Sequence, residues 1–435
     1  MLMSWILIAV TALAGAVPEA REFTLAPTNG GLYCSFALQP SAASYIRCKM
    51  FLPNDWDGRL WGFGNGGWAG TVSMQRQGRS ATIMNDLGTS RRPRLVIGED
   101  PEVLTDYAWR ATHVSTLAAK QIVKAHYGRL PDHSYFFGAS CGGRQGLTEA
   151  VRFPEDYDGI ISEVPGLTEH SRIGHAWQRE GLKRKYGKWF TPEERRLVRQ
   201  AELAYFAATD PDWARGKFIL DPYPTPAKLD GCWREIVKVA PQLKDRETYW
   251  RELFEPVRVN GKRVAAGRLL GIEFDCAWSF LPRKYFNIDR PDQMTEELFV
   301  KFLTMSNDWS VGGHDLSSFK ARGGKLIMLG GLEDLSCAEP EIREFYETVA
   351  DKMGGFQAVR PFFAYYVEPG RTHGAAGEPS GNGRVGAPCG LKEKIVAWVE
   401  RGVDPGTVEF KWNHEPRRLR VAPYPDLRVD CVDEK

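Results

Sequence analysis

Residues 134–166 read SYFFGASCGGRQGLTEAVRFPEDYDGIISEVPG. The stretch opens on a β-prone run, Ser134–Phe137, and passes at once into Gly138-Ala139-Ser140-Cys141-Gly142, a G-x-S-x-G string that occurs once in the chain. Gly142 to Val151 is helix-compatible, and YDGIISEVPG then reads as the next strand and its exit. Strand, tight turn around a serine, and helix together make the layout of a nucleophile elbow. The flanking glycines fit because larger side chains would clash in so strained a turn. In that layout Ser140 Oγ stands at the end of the sheet, and the helix N-terminus aims N–H groups at developing negative charge. The bland alternative is a loop serine in a glycine-rich turn. The strand before it and the helix after it favour the elbow.

The same alternation extends to both sides. Upstream, YIRCKMFLP alternates as a strand and leads through NDWDG into RLWGFGNGGWAG, a strand ending in a glycine-rich loop. Leu95–Gly98 is a short apolar run expected as a buried strand. Ser115 to His126 carries apolar residues at helical spacing, with Gly128 as its stop. Downstream, Gly324–Gly331 is expected as a strand, Pro340–Met353 as a helix, Phe362–Val367 as a strand and Leu391–Arg401 as an amphipathic helix stopped by Gly402. Between these pieces the pattern changes. Residues 166–316 are rich in Trp, Arg, Lys and Glu, with helical stretches such as TPEERRLVRQAELAYFAA but no regular strand–helix alternation. The expected organisation is one α/β core from residues 17–165 and 317–435, interrupted by an insertion over 166–316.

The 435 residues carry 57 basic and 55 acidic side chains, so no dominant basic surface exists to hold nucleic acid. The first residues, MLMSWILIAVTALAGAVPEA, are apolar from Trp5 to Ala16, and Ala14-Gly15-Ala16 fits a small-residue cleavage site. Residues 1–16 therefore read as a signal peptide, too short to span a bilayer comfortably, and the protein as secreted or periplasmic with no membrane partner. The alternative is an apolar N-terminal strand or an uncleaved anchor. In a secreted chain the eight cysteines invite disulfides; the nearest pair, Cys34 and Cys48, brackets a hairpin-sized segment. No CxxC or His/Cys cluster has zinc spacing, so no metal is expected.

A nucleophilic serine needs a base and an orienting carboxylate, which on an α/β-hydrolase follow in the order Ser, Asp or Glu, His. Past the strand at 324–331 stand Glu333 and Asp334, of which Asp334 is preferred with Glu333 its adjacent competitor. Past the strand at 362–367 stands His373, again in a loop. His113, His126 and His133 precede the serine, His170, His175 and His314 precede Asp334, and His414 follows the last helix. An oxyanion hole needs two backbone donors. Cys141 N–H is one, and the loop Gly64-Asn65-Gly66-Gly67-Trp68 is the natural source of the other, though a simple turn fits that loop equally well.

On these residues the sequence resembles the tannase and feruloyl esterase family. The resemblance is carried by Arg110–Ile160, above all GGRQGL through DGI, and by NDWDGRLWGFGNGGWAG, DLSSFKARGGKLIMLGGLEDLSCAEP and IVAWVERGVDP. It implies an α/β class with an α/β-hydrolase core and a lid domain inserted over residues 166–316. It implies Ser140 as nucleophile, Asp334 as acid, His373 as base, and oxyanion donors at Cys141 and Gly67. It implies hydrolysis of carboxylic esters of a planar aromatic acid, feruloyl or galloyl, as small-molecule substrates with no cofactor. The lid would supply the aromatic pocket, with Trp177 a candidate wall. Nothing local to the triad separates ester from amide chemistry, so a serine peptidase or general acyl hydrolase is the alternative; a retired binding protein is a third, opposed by the full Ser/Asp/His set.

Departures from the family pattern accompany these matches. Members typically carry a disulfide between a Cys just before the nucleophile and a Cys just after the base; here those places hold Ala139 and Gly374. A substitute bridge between Cys141 and Cys337 is conceivable, but the expectation is that packing and hydrogen bonds alone hold the loops. The family's lid often has a calcium loop. Its nearest match, ATDPDWARGKFILDP with Asp210, Asp212 and Asp221 and with Gly216 near another ligand position, reads as a weakened or lost site. A family-like CPYP is APYP here, at Ala422.

Overall fold

The computed structural model describes residues 11, 13–67, 70–90, 100–167, 170–210, 219, 221–259, 261–271, 293–308, 310–334, 336–373, 385–412 and 417–433. Nine strands form one sheet. They are β1 (Ala20–Thr28), β2 (Gly31–Leu38), β3 (Ile46–Pro53), β4 (Arg59–Phe63), β5 (Ala81–Asn85), β6 (His133–Ala139), β7 (Gly159–Glu163), β10 (Lys325–Gly331) and β11 (Phe363–Glu368), in the order β1-β2-β3-β5-β4-β6-β7-β10-β11. The first three strands and the β3–β5 pair are antiparallel; from β5 through β4, β6, β7 and β10 to β11 every pair is parallel. Strand order thus reverses between β4 and β6: the chain leaves β4 toward β5 on one side and β6 toward β7 on the other. In open α/β sheets the crevice beyond the strand ends at such a reversal is where ligands bind.

The parallel strands are apolar on both faces, as strands covered by helices must be. In β10, Leu326 and Met328 pack with Ile342, Phe345 and Tyr346 of α7 (Glu339–Lys352). Ile327 and Leu329 point the other way, onto Leu391, Ile395 and Trp398 of α8 (Leu391–Arg401). Helix α1 (Ala111–Tyr127) covers the antiparallel side with Ala118, Ile122 and Val123 and ends at Gly128, whose φ of 82° is the left-handed stop anticipated from sequence. The tail of the N-terminal apolar run, Leu13 and Val17, packs into this same cluster; residues 1–10 and 12 lie outside the described residues.

The expected strand at Leu95–Gly98 also lies outside the described residues. The strand between β3 and β4 in the sheet is β5, Ala81–Asn85, which sequence reading passed over. Between β7 and β10 no described residue joins the large sheet. This stretch holds α3 (His170–Tyr186), α4 (Pro192–Thr209), α5 (Pro226–Val239), the hairpin of β8 (Val257–Val259) and β9 (Lys262–Ala265), and α6 (Glu296–Asp308). Thr191 starts α4 with a reciprocal cap to Glu194 and Pro192 in the first turn. The helices enclose a separate apolar cluster including Val198, Phe206, Trp233, Ile236 and Trp250. At its heart Arg268 grips buried Glu202 through two 2.8 Å bonds, and Trp250 Nε1 and Gly271 N donate to the same carboxylate. After β11, four antiparallel strands form a second sheet: β12 (Val385–Cys389), β13 (Val408–Trp412), β14 (Arg417–Val421) and β15 (Val429–Asp433).

Candidate active site

Ser140 links β6 to α2 (Cys141–Arg152) with φ 59° and ψ −120°, a backbone region that costs a non-glycine residue about 1–3 kcal/mol. The strain is enforced by close packing of backbone on backbone. A Cβ at Gly138 would lie 2.4 Å from the carbonyl carbon of Gly142, and one at Gly64 would lie 2.5 Å from Gly142 Cα. The G-x-S-x-G spacing and the first glycine of the 64–67 loop therefore serve one requirement: three chains meeting at the strand ends.

Hydrogen bonds stitch that loop to the elbow. Gly64 N donates to Phe137 O (2.9 Å) and Gly142 N to Asn65 O (2.7 Å). Gln145 Oε1 accepts from Asn65 N at 2.8 Å, while its Nε2 donates to Thr112 Oγ1. Arg144, 1 % exposed, donates to the carbonyls of Ala108 and Tyr107 in a π-helical turn over Asp106–Arg110. The GGRQ string thus fixes the start of α2 from two sides. Tyr107 Oη in turn donates to Gly67 O at 3.3 Å and accepts from Cys141 Sγ at 3.5 Å. Both residues assigned as oxyanion donors, Cys141 and Gly67, thereby flank one tyrosine beside the serine.

The structure brings Ser140, His373 and Asp334 into one hydrogen-bonded line. Ser140 Oγ is 3.1 Å from His373 Nε2, and His373 Nδ1 is 2.8 Å from Asp334 Oδ2. The other carboxylate oxygen, Oδ1, accepts from Ser336 N (2.7 Å) and Cys337 N (2.9 Å), so the acid is held from behind. Asp334 has no side-chain exposure, whereas His373 retains 26 %. Glu333 turns aside: its carboxylate lies 3.6 Å from Arg199 of α4, and its N–H donates to Arg371 O. Such a line can carry a proton from the hydroxyl to the imidazole while the carboxylate holds the tautomer.

Beneath the histidine loop is a buried ion cluster that sequence reading missed. Arg371 donates to Glu368 Oε2 and Glu163 Oε2, each at 2.8 Å, and all three side chains are 6 % exposed or less. Burial raises the Glu368 carboxyl to about 7, against the opposing pull of Arg371 and with a smaller push from Glu163. Glu163 O accepts from Ser140 N at 2.9 Å, so the cluster joins the base loop to the nucleophile turn. The loops are held as expected, by packing and hydrogen bonds without a disulfide, and the strongest of these bonds are charge-assisted, from Arg371 to Glu163 and Glu368. A charge at the end of each of the apolar strands GIISE and FAYYVE was the available signal.

Among the described cysteines the expected disulfides are absent, which corrects that expectation. Cys34, Cys48, Cys141, Cys232, Cys337 and Cys389 are all free thiols. Cys34 and Cys48 do sit in a hairpin, β2 and β3, but Cys34 faces Met50 and Cys48 faces Phe36. Diagonal partners stand roughly 7–8 Å apart, beyond the ~3.8 Å between the Cβ atoms of a disulfide. Burial also pushes the Cys34 thiol up to about 12, away from the reactive thiolate. Cys141 and Cys337 do not bridge; Cys337 Sγ lies within 4.8 Å of ligand atoms of Asp334 and His373, which are already bonded to each other. Gly374 lies outside the described residues.

Trp177 stacks on Phe299 at 5.3 Å with Arg184 over its ring at 5.2 Å, and both rings pack against the apolar cluster that includes Cys141 and Tyr107. Of the calcium-loop residues, Asp212 and Gly216 lie outside the described residues, and Asp221 is paired with Lys228 at 2.6 Å. Among the described residues no helix is long and apolar enough to cross a membrane.

The sequence profile described as "Tannase and feruloyl esterase" matches residues 36–212 and 275–427. A probable feruloyl esterase B-2 of Aspergillus flavus is 26 % identical over 426 residues, covering 86 % of this chain and 79 % of its own. A mono(2-hydroxyethyl) terephthalate hydrolase of Piscinibacter sakaiensis is 23 % identical, covering 96 % and 85 %. Among solved structures, feruloyl esterase B of Aspergillus oryzae superposes with a TM-score of 0.73 at 20 % identity, covering 95 % of this chain and 96 % of that one. Tannin acyl hydrolase of Aspergillus niger gives 0.71 at 18 %, covering 97 % and 94 %. The α/β-hydrolase architecture expected from sequence is the one these structures share. With a profile match over most of its length and a serine–histidine–carboxylate line at the reversal of its sheet, the chain belongs to the tannase and feruloyl esterase family of carboxylic ester hydrolases.

Proposed function

We propose that the protein is a secreted serine esterase that cleaves esters of planar aromatic acids, of feruloyl or galloyl type, through an acyl-enzyme. The observation that carries the mechanism is the 3.1 Å contact of Ser140 Oγ with His373 Nε2, continued at 2.8 Å to Asp334. Ser140 Oγ attacks the ester carbonyl carbon as its proton passes to His373 Nε2. The carbonyl oxygen becomes an oxyanion, received by the N–H groups of Cys141 and Gly67. Collapse breaks the C–O bond, and the alkoxide leaves with the proton from His373. Water then repeats the sequence on the acyl-serine and releases the acid. Asp334 stays ionised and stabilises the imidazolium. The aromatic-acid preference rests on the relatives, which are named for feruloyl, tannin and terephthalate esters. Secretion rests on the apolar run at residues 5–16 and its small-residue end. Methyl ferulate, methyl gallate, methyl caffeate and a terephthalate monoester, assayed side by side with p-nitrophenyl acetate, test the reading. Turnover of at least one aromatic-acid ester well above the acetate supports it, and acetate-only activity overturns it.

A further inference from the structure

Away from the triad, α1 and the far end of α2 bring His113, Glu149 and Asp156 together, with one ligand atom from each lying within 4.8 Å of the others. His113 Nδ1 is 2.7 Å from Asp156 Oδ2, and Phe153 stacks on the imidazole at 3.8 Å, which fixes the ring plane. Glu149 and Asp156 are 1 % and 2 % exposed. Neither oxygen of Glu149 meets a hydrogen-bond donor among the described residues. Lys120 also faces this pocket, but its Nζ donates to Glu155 O at 3.0 Å. An uncompensated carboxylate in the interior is costly, and buried charges are normally paired or bound to metal. Two carboxylates and one imidazole therefore converge: His113 bonds Asp156, and burial with the adjacent Asp156 carboxylate raises the Glu149 carboxyl well above its ordinary range.

We propose that His113, Glu149 and Asp156 bind one divalent first-row transition ion, zinc being the reference case. One nitrogen and two carboxylate oxygens suit zinc, with water completing the shell. Calcium, which takes six to eight oxygens, does not fit three side chains that include an imidazole. His113, with 24 % side-chain exposure, is the way in from solvent. The ion replaces the His113–Asp156 hydrogen bond, satisfies Glu149, and ties α1 to the helix that begins at the nucleophile. This adds a metal site where the sequence reading placed none, and it does not depend on the esterase assignment.

The test uses the full chain stripped with a chelator and titrated with Zn2+ by calorimetry, with Co2+ and its visible bands as a second probe. The expected result is one ion per chain and a rise in melting temperature on loading. Glu149→Gln and His113→Gln should each weaken binding beyond the roughly 10–100-fold that loss of an outer-shell partner costs. Cys337→Ser should bind as the wild type does, which separates this site from the Asp334–Cys337–His373 group. Absence of stoichiometric binding by the wild type overturns the proposal even if a variant fails to fold. So does equal binding by Glu149→Gln, or loss of binding in Cys337→Ser.

Discussion

Arg371 and Glu163 are 208 positions apart in sequence, yet Nη2 of one lies 2.8 Å from Oε2 of the other in the interior. Glu163 ends β7 and, through its carbonyl, holds Ser140 N; Arg371 lies two residues before His373. One ion pair therefore connects the two sides of the proton path. Arg371→Met should leave two buried carboxylates without a cation and cost about 3–5 kcal/mol in a denaturant titration. Arg371→Lys keeps the charge but loses the two-pronged grip. It should lower kcat by roughly 10–100-fold, as small misplacements of reacting groups do, with KM little changed. A wild-type kcat in Arg371→Lys would separate this pair from catalysis.

Ser140→Ala should reduce kcat by several orders of magnitude while substrate binding is largely retained. A fluorophosphonate probe followed by peptide mapping should modify Ser140. Labelling of any other residue would reassign the nucleophile.

Asp334→Asn should be far more damaging than Glu333→Gln. Asp334 receives His373 Nδ1 at 2.8 Å, whereas Glu333 faces Arg199 at 3.6 Å. Comparable kcat/KM losses in the two variants would show that the acid has been misassigned.

The Glu368 carboxyl, raised to about 7 by burial, gives stability a defined pH dependence. The folded state holds this proton more tightly than the unfolded chain, whose carboxyl titrates near its ordinary value of about 4.3. Stability from this group is thus complete below the ordinary carboxylate range and declines as pH rises toward 7. The slope is at most one proton's worth, about 1.4 kcal/mol per pH unit. Melting curves of wild type and Glu368→Gln across that window should differ in slope, the variant being flatter. Parallel curves would place the titration elsewhere.

Cys141→Ser and Cys337→Ser should each leave most of kcat/KM in place, because both are free thiols. If each variant and the pair together lost the same large factor, the two sulfurs would be acting as one unit.

What could be read from sequence followed from local constraint. The turn at Ser140 demands glycines at fixed offsets, so it left a mark in neighbouring letters, and Asp334 and His373 follow strands whose apolar runs are plain. Strand β5 leaves little mark in the sequence, because ATIMN is short and follows a polar stretch. The Arg371 cluster was missed because a lone charge at a strand end ordinarily faces water; only the assembled sheet shows β7 and β11 on either side of β10, closing over it. For Trp177 residue type alone suggests a pocket wall, and type does not say which way a ring faces.

The Arg371–Glu163 contact also bears on how the protein is made. A disulfide beside the nucleophile would have to be formed by an oxidant after translation and could be undone by a reductant. A guanidinium–carboxylate pair assembles as the chain folds. With six described cysteines all free, the working alignment of Ser140 and His373 should be reached in a reducing cytosol as readily as in an oxidising compartment. Dithiothreitol should therefore leave the Ser140–His373 alignment, and the turnover that depends on it, unchanged.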